Sequence, residues 1–422
     1  MSARHEDRDS GVSRRRFLAG ASATVVAGAA VAGTADAAVG STPGPGTQPD
    51  HLPARQHAWQ STLKTDRYGN AIPPRFDRLL FFDVAGSPTP AEALLLESRL
   101  RALERRFRWG PGGLLFTAGW GSTYFTQVLG IKSPIPRASR MSSFEKPRID
   151  DYHLCLHLAC DDEHRLAAVE AALVHGAPLA GVSGSMALAP ALTWRETRTG
   201  FTGAGLPAAH QDVHGIPKDR PVSPSAPLFM GFKSSLRKNQ ASEDAVTIAH
   251  GAFAQGTTMA VSYMHLQLDH WYRGFGEEQR VARMYSPETT VADVKRIRDE
   301  ATGNPGKITQ AIRRFGVIGH SQATALARKS GRPLILRRDF NTVDGGQAGL
   351  HFVSVQRSID DFVVTRNAMN ASGAHLENHK ITATTNNGIN GFIDVRRRAN
   401  YMIPSRADRS FPLLQGRNEV LG

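Results

Sequence analysis

The chain carries only two cysteines among 422 residues, and no apolar run after its N-terminus approaches the length of a membrane span. Cys155 and Cys160 lie in HLCLHLACDD, which alternates as a strand does. Five residues apart on a strand, they face opposite sides and sit roughly 16 Å from each other. A disulfide tolerates less than about 7 Å, so both are expected in the core and a disulfide-stapled fold is excluded. There is no Gly-rich phosphate loop, no GxSxG and no HExxH. The sequence signatures of P-loop nucleotide hydrolysis, of the serine hydrolase elbow and of the zincin helix are therefore missing. Acid is scarce relative to base, with 38 Asp and Glu against 51 Lys and Arg and a net charge of +13. The basic residues are dispersed and carry no nucleic-acid fold motif, so nucleic acid is not the expected partner.

What is present begins with a leader. SRRRFLAGASATVVAGAAVAGTADA joins Arg14 and Arg15 to Phe17 and Leu18, then a small-residue apolar run, then Ala-Asp-Ala before Ala38. That order reads as a twin-arginine export signal over residues 1–37, cleaved after Ala37. The expected location is periplasmic, extracellular or associated with the cell wall, where the remaining charge of about +12 serves solubility first and anionic wall or lipid headgroups second. Export by this route commonly follows folding around a cofactor.

Residues 38–75, with STPGPGTQPDHLP, read as a disordered linker. Beyond it, DRLLFFDVAG reads as a buried strand, followed by a helix with Thr89 as N-cap, Pro90 at its first position and Glu92 closing a capping box. GGLLFTAGW and DYHLCLHLAC read as strands and DDEHRLAAVEAAL as a helix. The second half repeats the scheme. TTMAVSYMHLQLDHW is a long alternating strand, SPETTVADVKRIRDEA starts a helix capped by Thr290 and Asp293, and PLILRRDF and GLHFVSVQ are strands. SIDDFVVTRNAMN is then a helix boxed by Ser358 and Asp361. The expected fold is α+β: two ferredoxin-like units, residues 76–220 and 221–422, with antiparallel sheets packed together.

Candidate chemistry is concentrated in the second half. His320 follows a short apolar stretch, and Arg337 and Arg338 come seventeen and eighteen residues later at the end of an apolar strand. A histidine as axial ligand and a guanidinium on the other face suit an iron-porphyrin site. The same residues also suit a loop histidine and a surface arginine pair. His375 and His379 stand at i, i+4 spacing, and His210 and His214 form a loop pair near Asp212. Both pairs read as solvated, and His265 as a packed strand residue.

Taken together, the strand ending MHLQLDHW, the histidine followed by LRR, the strand LHFVSVQR and the helix SIDDF resemble the dye-decolorising peroxidase family over roughly residues 225 to 370. The first half agrees more loosely. The resemblance implies haem b in the C-terminal unit, with His320 as proximal ligand and Arg337 as distal arginine. It further implies hydrogen peroxide as substrate and an organic reductant that the sequence does not identify. It places Gly231, Phe232 and Lys233 in the distal loop. There the family pattern Gly-x-x-Asp-Gly reads Gly231-Phe232-Lys233-Ser234-Ser235, so the distal aspartate is Ser234 and the chain resembles an atypical exported subgroup. A hydroxyl has no useful pKa near neutrality and relays protons only through water, whereas general acid–base help is worth about 10²–10⁴-fold. Reduced turnover carried by Arg337 is expected, with a haem or iron binder that has lost peroxidase chemistry as the alternative. Glu243 and Asp244 are the nearest acids, two to three turns of chain away, and are not expected to substitute. Electrons would enter through Trp271, Tyr263 or Tyr272 unless these are core, and sheets of this type commonly pair across subunits.

Overall fold

A computed structural model describes residues 52–67, 69–188, 190–232, 239–294 and 305–414. The leader, Lys233 and Ser234 lie outside them. Among the described residues no helix is long and apolar enough to cross a membrane.

The first half runs β1 (Phe76–Val84), α1 (Pro90–Arg106), β2 (Leu115–Gly121), β3 (Arg148–Ile149), β4 (Leu154–Cys160), α2 (Glu163–His175) and β5 (Leu192–Phe201). Thr89 and Glu92 form the capping box of α1 as expected. Asp162 caps α2 through the Arg165 N–H at 3.1 Å. β1 is apolar on both faces because both are covered. Leu80 and Phe82 pack with Leu96, Leu100 and Leu103 of α1, while Leu79 and Phe81 point the other way.

The second half contains α3 (Glu243–Val246), β6 (Thr257–Leu266), α4 (Leu268–Arg273), α5 (Glu277–Met284), α6 (Val291–Val294), α7 (Pro305–Phe315) and α8 (His320–Ala325). It continues with β7 (Leu336–Arg337), β8 (Phe340–Thr342), β9 (Gly349–Gln356), α9 (Ile359–Asn370), α10 (Ala374–Glu377) and β10 (Ile393–Ile403). Three sequence expectations need correction. The long strand stops at Leu266, and LDHWYR turns into α4 where the Gln267 N–H bonds Phe392 O at 2.9 Å. PLILRRDF is two short strands broken at Arg338 and Asp339. Of the Ser358–Asp361 box only half forms: the Asp361 carboxylate accepts from the Ser358 N–H, while the Ser358 hydroxyl caps α9 through the Asp360 N–H at 3.1 Å.

The strands form one sheet in the order β2-β4-β1-β5-β8-β9-β6-β10, with β7 on β9 and β3 alongside β10. Each half places its third long strand between its second and first, and its fourth beyond the first. The halves meet at Phe201↔Asn341 and again where β10 pairs antiparallel with β2 at Tyr401↔Gly121 and Met402↔Trp120. The sheet thus closes into a barrel. Its interior is filled from both halves, by Leu79, Phe81, Met259, Val353 and Tyr401 among others. Cys155 lies in this interior and Cys160 among the helix-side leucines, both free.

The stretch expected as linker is folded from Leu52 onwards. Gln56 and His57 are fully buried and Trp59 nearly so. Leu52, Ala58 and Trp59 are buried among its polar residues, and Gln56 and His57 bond to Ala118, Pro404 and Thr247 far along the chain, which no local periodicity reveals.

Outside the barrel the two halves differ. The first fills the space between sheet and helices with leucine. In the second, Met264, Leu350 and Phe352 of the sheet face Phe362, Arg366 and Met369 of α9 across a cavity of about 750 Å³.

Candidate functional site

His320 opens α8 at the wall of this cavity. Its backbone is fixed on both sides. The Gly319 N–H bonds Gln322 Oε1 at 3.0 Å, and the Ser321 hydroxyl donates to Met284 O at 3.0 Å. Ile318 bridges the 386–388 loop, donating to Asn386 O at 3.0 Å and accepting from the Gly388 N–H at 2.8 Å. Two glycines allow that closeness. A Cβ on Gly319 would fall 2.1 Å from Tyr285 O, and Gly388, at φ +54°, would bring one to 3.1 Å from His320 Cα.

The imidazole itself is unbonded. Nδ1 is sealed from solvent with no hydrogen-bond partner among the described residues, while the residue as a whole keeps some surface, on the cavity side. Burial, then the charges of Arg337 and Arg366, push its pKa down to about 3. The ring is therefore neutral at physiological pH, the form that ligates a metal.

Arg337 sits on β7 with its N–H bonded to Gln240 Oε1. Its guanidinium lines the cavity and has no ion pair or side-chain hydrogen bond among the described residues. The strand alternation sends Arg338 elsewhere. Its Cζ lies 3.7 Å from the centre of the Trp59 ring, it donates to His57 O, and Glu243 is 3.8 Å away. Burial pulls the pKa of Arg338 down to about 10. Of the two arginines, Arg337 is the one left free towards His320.

A second cationic wall was not foreseen. Glu145 is buried between Arg366 at 2.6 Å and Arg398 at 2.8 Å. Burial raises its pKa, but the charges and bonds of the two arginines outweigh that and hold it below the usual carboxylate range. One carboxylate against two guanidiniums leaves this wall net positive. The sequence held one clue: Arg366 falls on the stripe of α9 that also carries Ile359, Phe362 and Asn370.

Gly231, at φ +88°, follows a turn in which its N–H bonds Leu228 O at 2.9 Å. Phe232 lines the cavity, edge-on to Trp271 and Tyr285. Trp271 and Tyr272 are buried and hold this turn, donating to Met230 O at 3.0 Å and Phe229 O at 2.6 Å. Tyr263 is half-buried and donates to Asp344 O. Asp244 is exposed on an ion pair with Arg55. Glu243 reaches the cavity wall, but its Oε1 is taken by the N–H groups of Trp59 and Gln60. The remaining histidines stay apart. His210 stacks on Phe201, His214 bonds Gln347, His265 bonds Tyr263 and His375 bonds Ser372 O. No group of three or more His, Cys, Asp or Glu suited to a metal ion exists among the described residues.

A family model covers residues 74–405 of this sequence. The chain belongs to the DUF7405 family. That family is described as one of unknown function. No curated protein matches the chain in sequence. Solved structures do match it. A DyP-type peroxidase from Cellulomonas bogoriensis aligns at 18% identity and TM-score 0.54, over 88% of this chain and 99% of that one. A DypB variant from Rhodococcus jostii RHA1 in complex with heme aligns at 13% identity and TM-score 0.54, over 84% and 98%. The encapsulated DyP-type peroxidase from Mycobacterium smegmatis aligns at 13% and 0.51, over 83% and 98%. At such identities the DUF7405 chain and the DyP-type peroxidases share a fold: mixed α and β, with an antiparallel sheet closed as a barrel.

Proposed function

We propose that this DUF7405 chain is an exported haem protein that reduces hydrogen peroxide at the expense of an organic reductant. The observation that carries the reading is the pairing of an unbonded, neutral imidazole at His320 with an unpaired guanidinium at Arg337 on one cavity. The cavity volume of about 750 Å³ falls within the roughly 300–1,000 Å³ typical of small-molecule and cofactor sites. Apolar walls with cationic Arg337, Arg366 and Arg398 suit a flat apolar group bearing carboxylates, which is the chemistry of haem b. His320 would hold its iron. Bound there, haem would supply a redox-active iron for peroxide to react with.

Arg337 then stabilises negative charge as it develops on a peroxide oxygen, the role a fixed guanidinium fills best. Phe232 and the sheet face exclude bulk water. Ser234 in place of an acid assigns the chain to an atypical subgroup of lowered turnover. The same strand order in each half supports two ferredoxin-like units arisen by duplication. The Arg14-Arg15 leader supports twin-arginine export to the envelope, where the positive surface meets anionic wall or lipid, and association of copies through their sheets belongs to the same reading.

The test is the absorption spectrum of the haem-reconstituted chain. A Soret band in the wild type that is lost in His320→Ala supports the ligand. Peroxide consumption that falls at least tenfold in Arg337→Leu supports the enzyme. A Soret band without peroxide consumption means a haem binder. The absence of any Soret band overturns the reading.

A further inference from the structure

Six arginines are buried as whole residues among those described: Arg198, Arg283, Arg366, Arg398, Arg406 and Arg409. Five of them hold a carboxylate. Arg198 pairs with Asp150, Arg366 and Arg398 with Glu145, and Arg406 and Arg409 with Glu104. Arg283, on α5, holds none among the described residues. Its Nη1 donates to Gln279 O of its own helix at 3.2 Å and its Nη2 to Asn386 Oδ1 at 2.8 Å, and neither acceptor bears a charge. Burial lowers its pKa, and no acid opposes the shift. Taking a guanidinium out of water without a counter-charge is costly, and Arg283 is the residue where this chain does so.

Arg283 lines a second cavity, of about 420 Å³, which touches the His320 cavity only at Ile393. One face of its guanidinium is covered, with Cζ 3.9 Å from the centre of the Phe275 ring. Two of its five N–H groups are used. Nε makes no hydrogen bond and is not among the sealed atoms, so a donor is left for a ligand.

The surroundings are held in place. Asn386, in the left-handed region at φ +55°, is fixed three ways: Oδ1 accepts from Arg283, Nδ2 donates to Lys380 O at 3.0 Å, and the carbonyl accepts from the Ile318 N–H at 3.0 Å. His270 stacks on Phe392 at 5.3 Å, and Phe275 stands edge-on to both rings. All three rings line the cavity, with Thr384 and Thr385 exposed at its rim.

These features select a ligand class. The unpaired cation calls for an anion. The one acid in the lining, Asp394, is tied to Arg396 at 3.0 Å, so a single negative charge is matched and a second is not. The volume falls within the roughly 300–1,000 Å³ of small-molecule sites. A bare inorganic ion would leave Phe275, His270 and Phe392 beside unfilled space, whereas a ring bearing one carboxylate packs on them while its charge meets Arg283. We infer that this cavity is a second binding site, for a small aromatic monocarboxylate, with Arg283 as its anchor. The site does not depend on the haem reading.

Calorimetric titration of the full-length chain with benzoate tests it and needs no haem. The wild type should show a saturable site for which phosphate does not compete. Arg283→Gln should weaken benzoate by about tenfold or more, because hydrogen bonds to a charged group are among the stronger ones, with partial recovery in Arg283→Lys. Thr385→Trp fills the rim from an exposed position, leaves Arg283 in place and should weaken benzoate comparably. It decides the matter if Arg283→Gln fails to fold. Arg337→Leu should leave the affinity unchanged. A wild type without saturable heat overturns the inference. So does benzoate binding that survives both Arg283→Gln and Thr385→Trp. So does a loss in Arg337→Leu alone, which puts the anion in the His320 cavity. Phosphate that competes on equal terms overturns the aromatic class. Failure of the haem reading shows separately, as a missing Soret band, and leaves the titration to decide this site.

Discussion

His57 shows how far a single buried histidine can be read from its partners. The Thr247 hydroxyl donates to Glu243 O at 2.7 Å, so its oxygen must accept from His57 Nε2–H at 2.8 Å. Nδ1 is then a bare lone pair, buried and unpartnered. Protonating it would bury a second cation beside Arg338 and Arg55, and burial first, then those charges, push the pKa down to about 3. With the folded value below the unfolded one, near 6.5, the stabilisation is complete above that pH and is lost as pH falls from about 6.5 towards 3. His153, His265 and His351 are shifted the same way by burial, so the wild-type melting temperature should decline across this window. His57→Gln, which keeps a donor for Thr247, should weaken that pH dependence by roughly 1–3 kcal/mol between pH 6.5 and 4. Melting curves at a series of pH values check it, and a profile that superimposes on the wild type's would remove His57 from the account.

At the scale of elements, the barrel's second seam is completed by a side chain. The antiparallel pairing of β10 with β2 runs through Tyr401↔Gly121 and Met402↔Trp120, and two residues beyond Met402 the register would set Pro404 opposite Ala118. Proline has no N–H to give. Gln56 stands in: its Oε1 accepts from the Ala118 N–H at 2.8 Å and its Nε2 donates to Pro404 O at 3.0 Å. Gln56→Leu keeps the bulk and leaves both backbone groups buried and unpaired, which should cost about 2–4 kcal/mol. Denaturant unfolding measures it, and a loss well under ~1 kcal/mol, as for an ordinary surface change, would mean the rung does not matter. No reading of residues 38–75 by composition could have found this, because the partners lie 62 and 348 positions away. What was legible was local. The Thr89–Glu92 and Thr290–Asp293 caps span three residues and appear as expected. The two faces of β1 and the separate environments of Cys155 and Cys160 follow from period two alone. The candidate site divides the same way. His320 and Arg337 were picked out by spacing and resemblance. Arg398 and Asp77 come to the cavity, and Glu145 to the two arginines behind it, only through the barrel, although the acid on the inner face of β1 and the arginine on the apolar stripe of α9 were visible anomalies.

At the scale of the whole molecule, the two units expected from the sequence share one barrel interior. Between them the ladder pairings are few: one at Phe201↔Asn341, two where β10 meets β2, and two where β3 lies alongside β10. What joins them is burial. Leu79 and Phe81 of the first half pack in one cluster with Met259, Val261, Val353 and Tyr401 of the second. Buried ion pairs cross as well. Arg409 reaches Glu97 and Glu104 on α1, and Arg406 shares Glu104 while lying 4.3 Å over Trp109. Separating the halves would expose the inner face of both sheets and leave Glu104 buried or hydrated without its two arginines, and breaking a buried pair costs about 3–5 kcal/mol by itself. Residues 52–220 and 221–414 expressed singly should therefore lack native near-UV dichroism and unfold without cooperativity, whereas co-expression should restore both signals in a one-to-one complex. If either half alone gave a cooperative transition with native-like near-UV signal, the shared barrel interior would not be what makes this chain a single folding unit. The His320 cavity should follow the same rule. Its walls include Trp59 and Asp77 from the first half and His320, Arg337 and Arg366 from the second, so ligand binding should return only with the reassembled barrel.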